Sequence, residues 1–182
     1  MMANRYRPST IDKISEKKIF FDANVLIYLF GFGTPTKINW GEQYARLYSR
    51  LNTQKNKFVI DYIILSEFVN RAIRFEYDNF LVTNGISKRD LYYKNYRNSD
   101  DGQEALNDIY LTVKYDILSD FEVVEKSYSK DDLTLMCSID SLDFSDKAIV
   151  QICDENQFVL LTNDTDFKDE DIDILSCHRN IW

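Results

Sequence analysis

The sequence predicts an α/β fold: a three-layer α/β/α sandwich built on a central parallel sheet. Short apolar runs alternate with longer stretches of helical periodicity, which is the pattern of strands joined by helical crossovers. The chain holds only 5 glycines and 2 prolines in 182 residues, too few for the many turns of an all-β sandwich. Its length is that of one domain, so we predict a single domain over residues 1–182.

The first part of the chain contains two predicted strands, each followed by helix. In order, the predicted elements are a loosely held, polar lead-in (1–17), a buried strand (19–21), a helix (25–30), a loop (31–36), a helix (40–52), a strand (58–60) and a helix (63–73). Each strand is a short apolar run, and the loop carries glycine and proline breakers. The helix 40–52 has apolar residues at i, i+3, i+4 and i+7 spacing.

The second part begins with extra helical material, predicted over 74–120 with polar interruptions at 83–85 and 98–102. In order, the later predicted elements are a strand (121–124), a short helix (131–139), a helix capped by Asp143 (143–153), a strongly apolar strand (158–161) and an alternating edge strand (172–175). Strands separated by helical stretches favour a parallel, doubly wound sheet.

Composition and charge exclude several function classes. The net charge of −8 argues against a protein whose whole surface binds nucleic acid, but not against a nucleic-acid enzyme whose carboxylates are neutralised by cations. No apolar run approaches the roughly 20 residues of a membrane span, so we expect a cytoplasmic protein with no membrane association. The three cysteines lack CxxC spacing, and His178 is the only histidine, so zinc and Ser-His-Asp sites are set aside.

Four acidic residues are each predicted to lie just after a strand or in the first turns of a helix. Asp22 ends the first strand, Glu67 lies in the first turns of the helix after the second strand, Asp146 opens the helix 143–153, and Asp164 follows the strand 158–161. In open α/β sheets, ligands bind at the carboxyl ends of the strands. We therefore expect these carboxylates to converge there.

Asp146 has the most informative spacing of the four. On a helix it shares a stripe with Ile149, Val150 and Cys153, the side expected to face the core. A carboxylate on an apolar stripe is costly unless it is paired or bound to a cation. Asp146 is therefore predicted to point inward, toward Asp22.

Each acidic residue also has a purely structural explanation. Asp22 or Asn24 could serve only as a helix N-cap, and Glu67 could be a solvated helix carboxylate. Asp143 could cap its helix with Asp146 in the first turn, where the helix dipole favours negative charge. The acidic residues after 158–161 could be turn residues that make Asx hydrogen bonds. The position of all four at one edge of the sheet favours a site.

Such a cluster without basic partners would raise the pKa values of its own members. Hard divalent cations resolve that conflict, and Mg²⁺ takes oxygen ligands while retaining water. A site of this kind can activate a water molecule as the nucleophile and stabilise charge on a phosphate, as in one- and two-metal nucleases. The pattern therefore indicates a phosphodiester hydrolase.

Four motifs, in this order along the chain, resemble those of the PIN-domain family, which includes VapC-like toxin ribonucleases. They are Phe21-Asp-Ala-Asn-Val-Leu-Ile27, Ser66-Glu67, Asp146-Lys-Ala-Ile149 and Leu160-Leu-Thr-Asn-Asp-Thr-Asp-Phe167. The first and last are the more specific. The resemblance spans residues 18 to about 176 and implies the parallel α/β/α fold.

The resemblance also implies a site and an activity. It makes Asp22, Glu67, Asp146 and Asp164 catalytic ligands for one or two Mg²⁺ or Mn²⁺ ions. Supporting polar residues would be Asn24, Asp143, Thr162 and Asp166. The implied activity is metal-dependent cleavage of single-stranded RNA, and toxin members of the family are usually homodimers held inactive by a cognate antitoxin.

Basic residues supply further candidates for contact with RNA. Arg71, Arg74 and Lys147 lie near the proposed site and could contact a substrate phosphate. Within the extra helical region, residues 88–97 combine four basic residues with three tyrosines, which could bind phosphates and stack on bases. An amphipathic helix with a solvated face explains the same segment, and we favour that interpretation.

Two rival functions remain open. A haloacid-dehalogenase-like phosphatase also uses an Asp after its first strand, but it needs a second Asp two residues later, where this chain has Asn24. A catalytically silent PIN-like scaffold would keep the fold without turnover. Metal binding without hydrolysis would distinguish the scaffold from the nuclease.

Overall fold

The computed structural model of the protein describes residues 3–32 and 39–182, so part of the predicted loop 31–36 lies outside the described residues. The strands are β1 (Arg5–Tyr6), β2 (Lys18–Phe21), β3 (Lys57–Ile60), β4 (Phe121–Val123), β5 (Val159–Leu161) and β6 (Ile174–Leu175). The α-helices are α1 (Ala23–Leu29), α2 (Trp40–Thr53), α3 (Tyr62–Asn84), α4 (Tyr93–Arg97), α5 (Asp100–Thr112), α6 (Leu118–Asp120), α7 (Lys130–Met136) and α8 (Phe144–Asn156).

The strands form one sheet in the order β1-β6-β5-β2-β3-β4, and every neighbouring pair is parallel. Successive residues of a strand point to opposite faces of the sheet. In β2, Ile19, Phe20 and Phe21 are all fully buried, which requires helices over both faces. The predicted α/β class with a parallel central sheet is confirmed.

The centre of the sheet is where residues that follow different strands come close together. β2 lies between β3, which follows it in the chain, and β5, which comes about 140 residues later. Phe21 is in register with Leu161, and the amide of Asp22 donates to the Leu161 carbonyl at 3.0 Å. The strand order changes direction here, and α/β sheets bind ligands at such a point.

The N-terminal segment differs from the prediction, because it is not a loosely held lead-in. Arg5–Tyr6 pairs with Ile174–Leu175, and Ile11 and Ile14 are buried in the core. Because the segment is mostly polar, these two isoleucines were not recognised as core residues from the sequence. They hold a short 3-10 helix against the core. The prediction of an edge strand at 172–175 is also wrong, because β6 pairs with β1 on one side and β5 on the other.

The region 74–120 is helical, as predicted, but its boundaries differ. α3 continues without a break from Tyr62 to Asn84, and Gly85 ends it with a φ of 63°, a conformation that glycine adopts at little cost. α4 and α5 pack against α3 through Tyr96 and Ile109, which are buried. Among the described residues, no helix is both long and apolar enough to cross a membrane.

Candidate active site

Asp22 occupies the central position at the carboxyl edge of the sheet. It directly follows β2, is 4% exposed, and caps α1 by accepting a hydrogen bond from the Asn24 amide. Its Oδ2 also accepts hydrogen bonds from the Asn24 side chain at 2.6 Å and from the Thr162 hydroxyl at 2.5 Å. The carboxylate is therefore both a cap and the centre of a buried polar network.

The environment of Asp22 raises the pKa of its carboxyl group to about 6. Burial is the main cause, because a charged group loses its hydration there. The negative charges of Glu67 and Asp164 raise the pKa further, while the hydrogen bonds from Thr162 and Asn24 lower it. Ionisation of this buried carboxyl group is therefore unfavourable, and the hydrogen bonds that it accepts offset only part of that cost.

The second acidic position is the start of α8. Asp143 caps this helix, since its Oδ1 accepts the Asp146 amide at 2.9 Å, and that bond is the main cause of the lowered pKa of Asp143. Burial raises the pKa of Asp146 to about 7, with further contributions from the charges of Asp143, Asp22 and Asp164. Both structural and site interpretations therefore hold here: Asp143 is the cap, and Asp146 faces the other carboxylates.

Glu67 is not free of basic partners, contrary to the expectation for the cluster. Arg71 lies one turn later on α3, and its Nη1 is 3.1 Å from Oε1 of Glu67. Arg74, one further turn along, places its guanidinium over the ring of Tyr93 at 4.4 Å from the ring centroid. One face of α3 thus brings an acid and two cations to the site.

Asp164 belongs to the loop that follows β5. Its amide donates to the Thr162 hydroxyl at 2.9 Å, and its Oδ1 accepts the Asp166 amide at 3.0 Å. The side chain of Asn24 also accepts the Asn163 amide at 3.2 Å, which fixes the loop against α1. The predicted Asx turn is present, and it presents Asp164 to the other acids.

These groups line one open cavity of about 580 Å³. All four predicted ligands contribute to its lining, together with Asn24, Asp143, Asp166, Arg71 and Arg74. Thr162 is not a lining residue, but its hydroxyl is hydrogen-bonded to two residues that are, Asp22 and Asp164. Lys147 does not line it: its ammonium group binds the Met136 carbonyl at 3.2 Å and Asp140 at 3.0 Å.

The cavity lining also includes polar residues that the sequence analysis did not select. They are Tyr62, Asn70, Ser141 and Ser145, and Ser66, which was named only as part of the Ser66-Glu67 motif, also lines the cavity. Asn70 lies three residues after Glu67 and one before Arg71, so helical spacing from Glu67 could have identified it. Nothing in the local sequence around Ser141 indicates that its loop reaches the cavity.

The donor set suits a hard divalent cation in chemistry, because the acidic side chains supply only oxygen ligands. The negative charges of Glu67 and Asp164 raise the pKa of Asp22, and those of Asp143, Asp22 and Asp164 raise the pKa of Asp146, so a bound cation would favour the charged forms of both carboxylates. In the part of the chain that the structure describes, no group of three or more acidic, cysteine or histidine side chains is close enough to share one ion. Side-chain rotation, above all of Glu67 away from Arg71, would be needed to complete a coordination sphere.

A protein-family model matches this chain. The model of the PIN domain matches residues 19–172, which is most of the chain. The chain belongs to the PIN-domain family. No curated protein sequence matches it. PIN domains are a family of metal-dependent nucleases that typically use divalent metals, which agrees with the oxygen-only donor set of the cavity. Membership also disfavours the phosphatase alternative, whose second Asp is replaced here by the buried amide of Asn24.

Proposed function

We propose that this PIN domain is an endoribonuclease that cleaves single-stranded RNA with one or two Mg²⁺ or Mn²⁺ ions. One observation carries the proposal: acids from four separate sequence segments line a single cavity at the point where the sheet order reverses. Family membership supports the metal-dependent nuclease chemistry. The choice of RNA and of single strands is the part that we infer.

The residues that line the cavity would have different roles, which depend on their positions. Asp22 is held rigidly by Thr162 and Asn24, so it would orient a cation, whereas Asp146, Glu67 and Asp164 would complete the ligand set. When bound, a divalent ion stabilises charge on the phosphate and lowers the pKa of a coordinated water. Arg71 and Arg74 line the cavity, where they would bind phosphates of the strand.

The decisive experiment is cleavage of single-stranded RNA in the presence of Mn²⁺, Mg²⁺ or EDTA. Asp146→Asn should abolish the metal-dependent cleavage. Asp154→Asn is the matched control, because Asp154 lies on the same helix but is exposed and outside this cavity. Equal cleavage by wild type and Asp146→Asn would contradict the proposed site.

We also propose that the protein is the toxin of a type II toxin–antitoxin pair and acts as a homodimer. Support comes from the resemblance of its motifs to those of VapC-like toxins. Expression of the wild type should then arrest growth, and coexpression of a small DNA-binding protein encoded directly upstream should relieve the arrest. Arrest that persists in Asp146→Asn would argue against a toxin that acts through this cavity.

A catalytically silent scaffold is the second candidate. The observation that favours it is the ion pair between Glu67 and Arg71, because one of the four predicted metal ligands is then already paired with a cation. A scaffold would bind Mn²⁺ without cleaving any RNA. Calorimetric titration with Mn²⁺, run beside the cleavage assay, distinguishes the two functions.

A further inference from the structure

A second groove lies beside the carboxylate cavity, on the helical region 74–120. It has a volume of about 500 Å³ and is formed by α3, α4 and α5. Its lining is rich in amides and aromatic rings, and it includes Asn70, Asn98, Asn107, Tyr93 and Tyr110. A pocket of this size is large enough for a small ligand or for one unit of a chain.

The two sites adjoin along α3. Asn70 lines both of them, and Arg74, on the wall of the carboxylate cavity, stacks on Tyr93 of the groove at 4.4 Å. A strand whose phosphate lies among the carboxylates could therefore continue into the groove without crossing a ridge of unrelated residues. This adjacency distinguishes the groove from an unrelated surface depression.

The charge of the groove differs from that of the cavity. Among the residues that the structure describes, no acidic side chain lines the groove, whereas six line the cavity. Its one cation is Arg97, which makes no ion pair with any described residue. In a chain of net charge −8, an exposed arginine without a carboxylate partner is available to bind a phosphate.

The polar groups of the groove are also available. Within the described ranges, the side chains of Asn70, Asn98 and Asn107 make no hydrogen bond to another residue, and all three are exposed. Tyr110 is 56% exposed and presents its ring to solvent. Amides can pair with base edges, and a tyrosine ring can stack on any base.

We propose that this groove is a nucleotide-binding subsite, which holds the single strand next to the cleaved bond. Arg97 binds a phosphate, Tyr110 stacks on a base, and the asparagines contact base edges. The inference rests on the proposed nuclease function and extends it, because it assigns a substrate-binding role to the helical region. From the basic segment 88–97, Tyr93 and Arg97 reach the groove, while Tyr96 is buried and Lys88 pairs with Asp78.

The test measures RNA binding apart from cleavage. The anisotropy of a labelled 12-nucleotide single-stranded RNA would be titrated with Asp146→Asn protein in Mn²⁺. Adding Arg97→Ala and Tyr110→Ala should weaken binding about tenfold, as expected for one lost phosphate contact and one lost stacking contact. The melting temperature should not change, because both side chains are exposed.

The matched control adds Lys94→Ala and Tyr115→Ala instead. It removes the same charge and the same kind of ring from exposed positions outside the groove, and binding should be unchanged. Equal binding by the groove variant and its Asp146→Asn parent would overturn the subsite and leave the nuclease proposal intact. If wild type neither binds nor cleaves RNA, the nuclease proposal fails and the subsite fails with it.

Discussion

The hydroxyl of Thr162 donates a hydrogen bond of 2.5 Å to the buried carboxylate of Asp22. The two residues follow neighbouring strands, β5 and β2, but are separated by 140 positions in the chain. Because burial removes water from the carboxylate, this hydroxyl is one of the few groups that stabilise its charged form. The polar network beneath the cavity depends on it.

Thr162→Val should therefore destabilise the protein and raise the pKa of Asp22 further. Valine fills the same space but removes one of the hydrogen-bond donors to a buried carboxylate, which keeps only those of Asn24, and this loss costs about 1–3 kcal/mol. Urea unfolding measures the loss, and the pH at which cleavage reaches half its maximum should move upward. Thr162→Ser keeps the hydroxyl and should behave nearly as wild type. Equal stability of the Val and Ser variants would contradict this role.

The stability of the metal-free protein should decrease as pH rises from about 4 to 7. Asp146 has a pKa of about 7 in the folded protein against an ordinary value of 3.8, so the folded state binds more protons than the unfolded state between these values. Asp146→Asn should reduce this slope to the contribution of Asp22, and the variant should be more stable than wild type at pH 8 by roughly 1–3 kcal/mol. Urea unfolding in EDTA at several pH values tests it. If the free energy of unfolding depends on pH in the same way in the two proteins, Asp146 does not have the raised pKa that its burial predicts.

Divalent metal should reverse that loss of stability. A ligand that binds only the folded state stabilises it by about 2.7 kcal/mol at 100 times its Kd. Mn²⁺ should therefore raise the melting temperature of wild type at pH 8 and much less at pH 5, where Asp22 and Asp146 are protonated. Thermal unfolding with Mn²⁺ or EDTA measures the effect. Asp154→Asn should retain the effect, and a similar gain in Asp146→Asn would place the metal elsewhere.

Arg71→Gln should tighten Mn²⁺ binding and weaken RNA binding. The variant releases Glu67 from its ion pair, worth about 0.2–1 kcal/mol at such exposure, and removes a cation from the lining of the cavity. We expect roughly a two- to fivefold change in each Kd, in opposite directions, by calorimetry and by anisotropy. Arg46→Gln breaks the equivalent pair with Glu42 on α2 and should change neither. Weaker Mn²⁺ binding in Arg71→Gln would mean that the ion pair positions Glu67 for the metal.

Much of the candidate site could be predicted because the sequence patterns that indicate it are local. Apolar runs identified β2, β3 and β5, and an acid that follows such a run must lie at the carboxyl edge of a parallel sheet. The apolar stripe on α8 likewise predicted that Asp146 points toward Asp22, and both residues line the cavity. These inferences needed only the periodicity of helices and strands.

The basic residues were predicted less well, because helical phase decides which way each one points. Lys147 directly follows Asp146, yet it lies about 100° further round α8 and binds carbonyls at the end of α7 and in the loop after it instead. Arg71 reaches the cavity but pairs with Glu67, and only the side-chain conformations revealed that pair.

Asp22 and Asp61 show most clearly what the sequence determined alone and what required the tertiary structure. Each follows a buried strand, caps the next helix and is at most 4% exposed, so local sequence describes them equally well. The sequence determined the α/β class and the acids at the strand ends. The order of the strands decided that Asp22, after β2, lies beside Thr162, whereas Asp61, after β3, lies outside the cavity. Strand order depends on contacts between distant segments, and no local pattern records those contacts.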